Sequence, residues 1–340
     1  MTATELDTIA RAMVAKDKGI LAADESSGTI KKRFDKIKIE STEENRRTYR
    51  ELLFTTPGAS DYISGVILYD ETIRQKTRDG VPFAEYLTRN GMIPGIKVDL
   101  GAKPLAGFPG ETITEGLDGL RERLAEYRKL GAKFAKWRAV IDIAAGIPTR
   151  FCIEANAHAL ARYAALCQEA GIVPIVEPEV LMDGAHTIER CEEVTDDSLE
   201  AVFAQLYAHR IRFEGMVLKP NMVISGMKCP TRAGAEQVAE ATVRCLKRHV
   251  PAAVPGIAFL SGGQGAEEAT EHLSLMNQLG PVPWELSFSY GRALQAPALD
   301  AWRGQTGNFA AGQKALFKRA KLNGLARSGR YVAGLESAAA

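Results

Sequence analysis

The chain has 340 residues, of which 46% are hydrophobic and 25% are charged, with 31 Gly and 15 Pro. This composition is typical of a soluble globular protein and excludes collagen-like, coiled-coil and wholly disordered chains. The 43 basic residues nearly balance the 42 acidic ones, and the net charge of +1 argues against a general nucleic-acid or membrane-surface binder.

The first 17 residues mix charged and apolar side chains, which predicts a short amphipathic helix and not a secretory signal. No stretch approaches the roughly 18 apolar residues that a membrane span requires. The 5 cysteines are scattered and never spaced C-x-x-C, a pattern typical of reduced thiols in a cytosol. We therefore expect a soluble, cytoplasmic protein that interacts with neither membranes nor nucleic acid.

Short apolar runs alternate with helical segments along the chain. Each run is bounded by Gly, Pro or polar residues, which predicts buried parallel strands. The predicted strands are residues 19–24, 65–70, 95–99, 134–143, 173–178, 215–220, 256–261 and 284–290. The predicted helices are residues 1–17, 41–54, 113–130, 151–170, 198–212, 234–249 and 266–279, and a basic segment after Phe309. The stretch 41–44, Ser-Thr-Glu-Glu, has the spacing of a capping box.

Eight strands, each followed by helical or loop material, predict a (β/α)8 TIM barrel, with a doubly wound open sheet as the alternative. No G-x-G-x-x-G or Walker pattern follows any predicted strand, which disfavours the alternative. Because no linker divides the chain, we expect one barrel domain over residues 1–330. Residues 331–340 are rich in Ala and are expected to form a mobile tail.

Charged and hydroxyl side chains recur where the predicted strands end. Lys97, Lys136, Glu177, Lys219 and Ser261 follow one another at intervals of 39, 41, 42 and 42 residues. Each interval matches one strand–helix unit, so these residues are expected at similar height around the barrel. A single charged residue at a strand end is usually solvated or paired. A whole set at matching positions, at the end where barrel active sites lie, indicates a site.

The remaining members of this set follow the same rule. Asp24 ends the first predicted strand, and Arg292 lies just beyond the eighth. Arg138 lies two residues after Lys136, so both project from one face of their strand, and Glu177 is related to Glu179 in the same way.

Lys219 ends an apolar strand, which indicates a special environment for its amine. Loss of hydration and a neighbouring cation such as Lys136 both disfavour the ammonium form. A neutral amine attacks a ketone to form a Schiff base, whose iminium accepts electrons from a breaking C–C bond. The alternative is a lysine that extends to solvent or pairs with Glu177. Glu177, between Val176 and Pro178, is a candidate proton shuttle.

A glycine-rich turn at residues 261–265 precedes a predicted helix, an arrangement that suits phosphate binding by backbone amides. Arg292, after the next strand, adds a guanidinium where barrels commonly bind phosphate. Ser26, Arg33 and Lys97 are candidates for a second anionic group, so a doubly phosphorylated sugar fits the pattern. The 5 histidines are dispersed without metal-ligand spacing.

Six motifs together resemble class I fructose-bisphosphate aldolase. They are LAADES at 21–26, AKWR at 135–138, IVEPE at 175–179, LKPNM at 218–222, LSGGQ at 260–264 and FSYGR at 288–292. The resemblance implies a (β/α)8 barrel, a homotetramer, and neither a metal nor another cofactor. It implies reversible cleavage of fructose 1,6-bisphosphate to dihydroxyacetone phosphate and glyceraldehyde 3-phosphate, in glycolysis and gluconeogenesis.

Carried over motif by motif, the resemblance makes Lys219 the Schiff-base lysine and Glu177 the principal acid/base. Lys136 would assist dehydration of the carbinolamine, and Asp24 would help to handle the proton of the C4 hydroxyl. Which of Asp24 and Glu177 takes that proton is left open by the sequence. The predicted substrate-binding residues are Ser26, Arg33 and Lys97 for the distal phosphate, Ser261, Gly262, Ser289, Gly291 and Arg292 for the phosphate nearest the ketone, and Arg138 and Gly263.

One departure concerns the end of the chain. Animal members of the family end in a tyrosine that assists proton exchange, whereas the last tyrosine here is Tyr331. Two other functions compete with the aldolase hypothesis: another Schiff-base lyase with a different aldehyde, and a non-catalytic scaffold. Candidate residues for two phosphates disfavour the first, and the joint presence of Lys219, Lys136 and Glu177 disfavours the second.

Overall fold

The computed structural model describes residues 3–338 and shows a closed barrel of parallel strands. The strands are β1 (Gly19–Ala22), β2 (Ile63–Leu68), β3 (Ile93–Lys97), β4 (Ala102–Pro104), β5 (Thr112–Thr114), β6 (Phe134–Ile141), β7 (Val173–Val180), β8 (Val217–Leu218), β9 (Gly256–Phe259) and β10 (Glu285–Tyr290). Around the barrel the order is β1, β10, β9, β8, β7, β6, β3 and β2, which returns to β1. The predicted (β/α)8 architecture is therefore confirmed.

Helices cover the outside of the barrel. They are α1 (Ala3–Met13), α2 (Ser27–Lys36), α3 (Glu43–Phe54), α4 (Asp70–Arg74), α5 (Phe83–Arg89), α6 (Leu120–Lys129), α7 (Arg150–Glu169), α8 (Ile188–Ala208), α9 (Ala235–His249), α10 (Ala266–Gln278), α11 (Arg292–Trp302), α12 (Phe309–Ala326) and α13 (Leu335–Ala338). Among residues 3–338, none of these helices combines the length and apolar character that crossing a membrane would take.

Two phenylalanine rings pack against glycines of the barrel strands, one on each face of the barrel wall. A Cβ placed on Gly95 of β3 would lie 2.2 Å from the ring of Phe134, and one on Gly19 of β1 would lie 2.5 Å from the ring of Phe288. Both rings are fully buried. Glycine therefore makes room for Phe134 inside the barrel and for Phe288 on the outer face of β10, where the neighbouring Ser289 faces the cavity.

The segment before α6 differs from the prediction. Residues 113–130 were expected to form one helix, but Thr112–Thr114 pairs antiparallel with Ala102–Pro104 as β4 and β5, and the helix begins only at Leu120. Thr112 and Thr114 also bond the backbone of β6: their Oγ1 atoms donate to the Val140 and Arg138 carbonyls at 3.1 and 2.8 Å. These long-range bonds hold the segment extended over β6.

Threonine is the N-cap of three helices, α3, α7 and α8. Thr42 is the N-cap of α3, where its Oγ1 accepts from the Asn45 N–H at 3.1 Å. Thr187 caps α8 in the same way, so α8 begins at Ile188, ten residues before the expected start at 198. A side-chain acceptor at the N-cap satisfies an amide that has no partner within the helix.

Within the segment expected to be a mobile tail, Tyr331 and Glu336 make contacts with each other and with α12. Tyr331 is buried, and Glu336 of α13 forms an ion pair with the buried Arg319 of α12 and accepts from the Tyr331 hydroxyl at 3.1 Å. The mobility of residues 331–340 stays a prediction, and residues 339–340 lie outside the described part of the chain.

Candidate active site

A cavity of about 930 Å³ opens at the carboxyl ends of the barrel strands. It is lined by thirteen of the fourteen predicted site residues: Asp24, Ser26, Arg33, Lys97, Lys136, Arg138, Glu177, Lys219, Ser261, Gly262, Ser289, Gly291 and Arg292. The barrel brings them together because parallel strands end at the same rim. The regular spacing of these residues in the sequence thus corresponds to a ring of side chains around one cavity.

Gly263 is the predicted site residue that does not line the cavity. Its φ of +72° belongs to the left-handed region, and a Cβ there would lie 2.1 Å from Cγ of Met182. Glycine is required at this position for backbone shape and close packing. Gly263 therefore shapes the turn that carries Ser261 and Gly262.

Lys219 follows β8, which has only two residues. Its backbone N–H donates to the Val176 carbonyl at 2.8 Å, so the ladder to β7 continues through it. Its side chain is 5% exposed, and Nζ lies 3.1 Å from Oε1 of Glu177. The amine therefore lies at the floor of the cavity beside a carboxylate that is within reach for proton transfer.

Lys136 is surrounded by carboxylates. Its Nζ lies 2.7 Å from Oδ2 of Asp24, 3.4 Å from Oε2 of Glu177 and 3.7 Å from Oδ2 of Asp99. Glu177 thus stands between the two lysines, with one oxygen toward each.

These contacts fix two charges. Burial by itself raises the pKa of Asp24, but the attraction of Lys136 and Lys219 outweighs it and holds that pKa well below its ordinary value. For Lys136, burial lowers the pKa, whereas Asp24, Glu177 and Asp99 raise it well above the ordinary value. Asp24 is therefore a carboxylate and Lys136 an ammonium ion at any physiological pH.

The mouth of the cavity carries a second charged network. Glu25 forms ion pairs with Arg33 and with the buried Arg50, the latter at 2.8 Å. Gln295 of α11 donates to the same Glu25 carboxylate at 2.7 Å and to the Ala22 carbonyl at 2.6 Å. The guanidinium of Arg33 is thereby held at the rim beside Ser26.

Next to Arg33, the segments after β9 and β10 carry groups that suit an anion: a Cβ on Gly291 would lie 3.8 Å from Nη2 of Arg33. The buried Ser289 hydroxyl has no hydrogen-bond partner within the described residues. Gly291 and Arg292 follow it directly, and α11 begins at Arg292. A free hydroxyl, a guanidinium and the N-terminus of an eleven-residue helix together suit a phosphate.

Comparison with known proteins identifies the family. A family model described as fructose-bisphosphate aldolase class-I matches residues 5–340. The chain belongs to the class-I fructose-bisphosphate aldolase family. As a member of this family it is a lyase.

Relatives from distant organisms match nearly the whole chain. A probable fructose-bisphosphate aldolase class 1 of Xanthomonas axonopodis pv. citri is 63% identical over 332 residues, which cover 97% of this chain and 99% of that protein. The fructose-bisphosphate aldolase of Dictyostelium discoideum is 54% identical over 333 residues, covering 97% and 93%. A ternary co-crystal structure of Plasmodium falciparum fructose-bisphosphate aldolase with TRAP and a small-molecule inhibitor has a TM-score of 0.96 at 51% identity, covering 98% and 96%.

Three groups at the aldolase cavity received no role from the sequence. Asp99 contacts two of the predicted lysines, and its position two residues after Lys97, on the same strand face, was the available signal. Glu25 lies inside the first motif, but the role there was assigned to the adjacent Asp24 alone. Arg50 lies within α3, and only the fold brings it to Glu25. Among residues 3–338, no cluster of three or more His, Cys, Asp or Glu has the arrangement of a metal site.

Proposed function

We propose that the chain cleaves fructose 1,6-bisphosphate reversibly to dihydroxyacetone phosphate and glyceraldehyde 3-phosphate, through a Schiff base on Lys219 and without a metal. The observation that carries this proposal is the buried Lys219 amine, 3.1 Å from Glu177, on the floor of a cavity with cationic groups at both sides. We place the reaction in glycolysis and gluconeogenesis.

The first stage joins substrate to enzyme. The Lys219 amine attacks the C2 ketone to give a carbinolamine, and loss of water then leaves an iminium ion. Glu177, within reach of the Lys219 nitrogen, receives and returns the protons of this stage. The Lys136 ammonium, 3.4 Å from Glu177, supports departure of the hydroxyl group.

The second stage breaks the C3–C4 bond. A carboxylate takes the proton of the C4 hydroxyl, C4 becomes the aldehyde carbonyl of glyceraldehyde 3-phosphate, and the bonding electrons move onto the iminium to give an enamine. Asp24 suits this role because Lys136, at 2.7 Å, keeps it ionised. Protonation of the enamine at C3 and hydrolysis of the imine then release dihydroxyacetone phosphate and the free lysine.

Two groups of cavity residues provide for the two phosphates. We assign the phosphate nearest the ketone to Ser261, Gly262, Ser289, Gly291 and Arg292, and the distal phosphate to Ser26, Arg33 and Lys97. The unpartnered Ser289 hydroxyl supports the first assignment, and the Glu25-held Arg33 supports the second. Arg138, ion-paired with Glu179 at the cavity wall, is assigned to the sugar hydroxyls.

We further propose a cytoplasmic homotetramer whose barrel domain comprises residues 1–330. This assignment rests on the resemblance to the family and on the cysteine usage. Four of the five cysteines are buried and all five are free.

Borohydride trapping with dihydroxyacetone phosphate tests the mechanism directly. In the presence of a chelator, we expect a reduced adduct on Lys219, found by peptide mass spectrometry. Lys219→Met should give no adduct, whereas Lys103→Met, on the exposed strand β4, should trap like the wild type. If the wild-type protein is folded and binds phosphate but forms no adduct, the Schiff-base mechanism is refuted. The result would then favour a scaffold or a sugar-phosphate sensor.

A further inference from the structure

The carboxylate of Asp99 lies between two lysines that the proposed function uses separately. Its Oδ1 is 2.7 Å from Nζ of Lys97, and its Oδ2 is 3.7 Å from Nζ of Lys136. Its side chain is 3% exposed. The proposed mechanism assigns it no role, although it contacts both the distal-phosphate lysine and the lysine beside the imine.

Backbone amides from two separate segments fix the orientation of Asp99. The N–H of Gly101, after β3, donates to Oδ1 at 3.2 Å, and the N–H of Arg138, within β6, donates to Oδ2 at 3.3 Å. Hydrogen bonds to an ionised acceptor are stronger than neutral ones, and a buried carboxylate with both oxygens engaged is rigid. Asp99 is therefore a fixed point between β3 and β6.

The two lysines depend on this fixed point to different degrees. Lys97 and Lys136 are direct register partners on neighbouring parallel strands, so their ammonium groups would repel across the gap that Asp99 occupies. Lys97 Nζ contacts Asp99 twice, at Oδ1 and at the backbone carbonyl, both at 2.7 Å. Lys136 has Asp24 and Glu177 in addition.

We propose that Asp99 is a positioning residue that holds Lys97 toward the distal phosphate and Lys136 toward the carbinolamine, an inference that rests on the proposed function. Asp99 touches neither substrate nor the reacting atoms in this assignment. It acts through the lysines, and its effect on each is separable, because a substrate without the distal phosphate does not use Lys97.

Asp99→Asn tests the proposal, because it keeps the shape and removes the charge. With fructose 1,6-bisphosphate we expect KM to rise and kcat to fall by roughly 10- to 100-fold, the size of effect that displaced catalytic groups produce. With fructose 1-phosphate we expect the fall in kcat but little change in KM. Trapping of dihydroxyacetone phosphate on Lys219 should slow by the same factor as kcat for fructose 1-phosphate.

A double-mutant cycle separates the Lys97 contribution. Lys97→Met should raise KM for the bisphosphate alone, and adding Asp99→Asn should raise it little further, since residues in one network do not act additively. Asp70→Asn is the matched control, because Asp70 lines the same cavity but pairs with Arg74 and Tyr127. We expect wild-type kinetics from it.

Folded Asp99→Asn with wild-type KM and kcat on both substrates would overturn the inference, as would full additivity with Lys97→Met. If Asp99→Asn does not fold, Asp99→Glu decides: it keeps the charge but displaces the carboxylate by one methylene. If Asp99 positions the two lysines, Asp99→Glu should lower kcat at least five-fold. Wild-type kcat and KM in this variant would refute the proposal. Failure of wild-type trapping, in contrast, would overturn the proposed function itself.

Discussion

At the scale of single residues, each lysine of the cavity floor has a carboxylate as its neighbour. Three carboxylates, Asp24, Asp99 and Glu177, alternate with the lysines 97, 136 and 219. Glu177 contacts two of these lysines, whereas Asp24 is held ionised by its partners. Under the proposed function, Glu177 is within reach to exchange protons with the Lys219 amine, while Lys136 stays beside it as an ammonium ion.

This difference predicts separate losses in Asp24→Asn and Glu177→Gln. We expect Asp24→Asn to lose cleavage by about 10²- to 10⁴-fold, the usual size of acid–base catalysis, while imine trapping and C3 proton exchange of dihydroxyacetone phosphate continue. Glu177→Gln should slow trapping as well. Cleavage assays, borohydride trapping and exchange in D2O measured by NMR check this. The reverse pattern would assign the C4 proton to Glu177.

At the scale of elements, α10 carries a buried histidine under the glycine-rich turn. His272 Nδ1 donates to Oε1 of Gln264 at 2.7 Å, and Gln264 closes the turn with a backbone bond to the Ser261 carbonyl at 3.3 Å. Burial lowers the pKa of His272 from 6.5 to about 4, although Glu268 opposes this and Arg232 adds to it. The histidine that supports this turn is therefore neutral.

A pH dependence of stability follows. Because the folded-state pKa lies below the unfolded-state value, the unfolded chain binds the proton first as the pH falls. Stability is therefore lost from about pH 6.5 downward, by about 2 kcal/mol at pH 5. The wild-type free energy of unfolding in urea should be lower at pH 5 than at pH 7. We expect this difference to be about 2 kcal/mol smaller in His272→Asn, because the variant lacks the titrating group. An identical difference in wild type and variant would contradict the prediction.

Prediction from sequence succeeded where the pattern is local. The apolar runs located all eight barrel strands, and the regular interval between Lys97, Lys136, Glu177 and Lys219 located the cavity. The prediction failed where contacts between residues far apart in the sequence determine the local structure. The β4–β5 hairpin depends on bonds to β6, and no local signal marks them.

The same limit applies within the site. Asp99 is visible in the sequence, yet its partnership with Lys136 depends on the register between β3 and β6. The Arg50–Glu25 pair depends on where α3 packs.

At the scale of the whole molecule, the last described residues pack on the barrel's outer helices. Glu336 neutralises Arg319, whose guanidinium also donates to Thr270 at 2.5 Å and to the Ala266 carbonyl at 2.9 Å. No residue of the range 331–338 lines the cavity. The tail's contacts in this structure therefore serve α10 and α12, away from the reacting atoms.

Deletion of the residues after Tyr331 should consequently lower the stability of the protein but leave its turnover nearly unchanged. We expect the free energy of unfolding to fall by about 1–3 kcal/mol, because buried Arg319 loses its carboxylate, while turnover stays within about two-fold. Glu336→Gln in the full-length chain is the matched control and should account for most of the loss of stability. A large, selective loss of C3 proton exchange in the deletion variant would contradict this prediction.

Closure of the barrel by β1 and β10 has a consequence for biosynthesis. Ile20 of β1 pairs with Ser289 of β10. One edge of β1, the first strand to be synthesised, therefore has no hydrogen-bond partner until β10, the last strand, has been synthesised. Until then the nascent chain exposes an unpaired strand edge, the kind of surface that chaperones cover and that aggregates when left bare. Asp24 and Arg292, which follow β1 and β10, also come together only when these strands pair, so the candidate site is assembled only by a chain translated beyond β10.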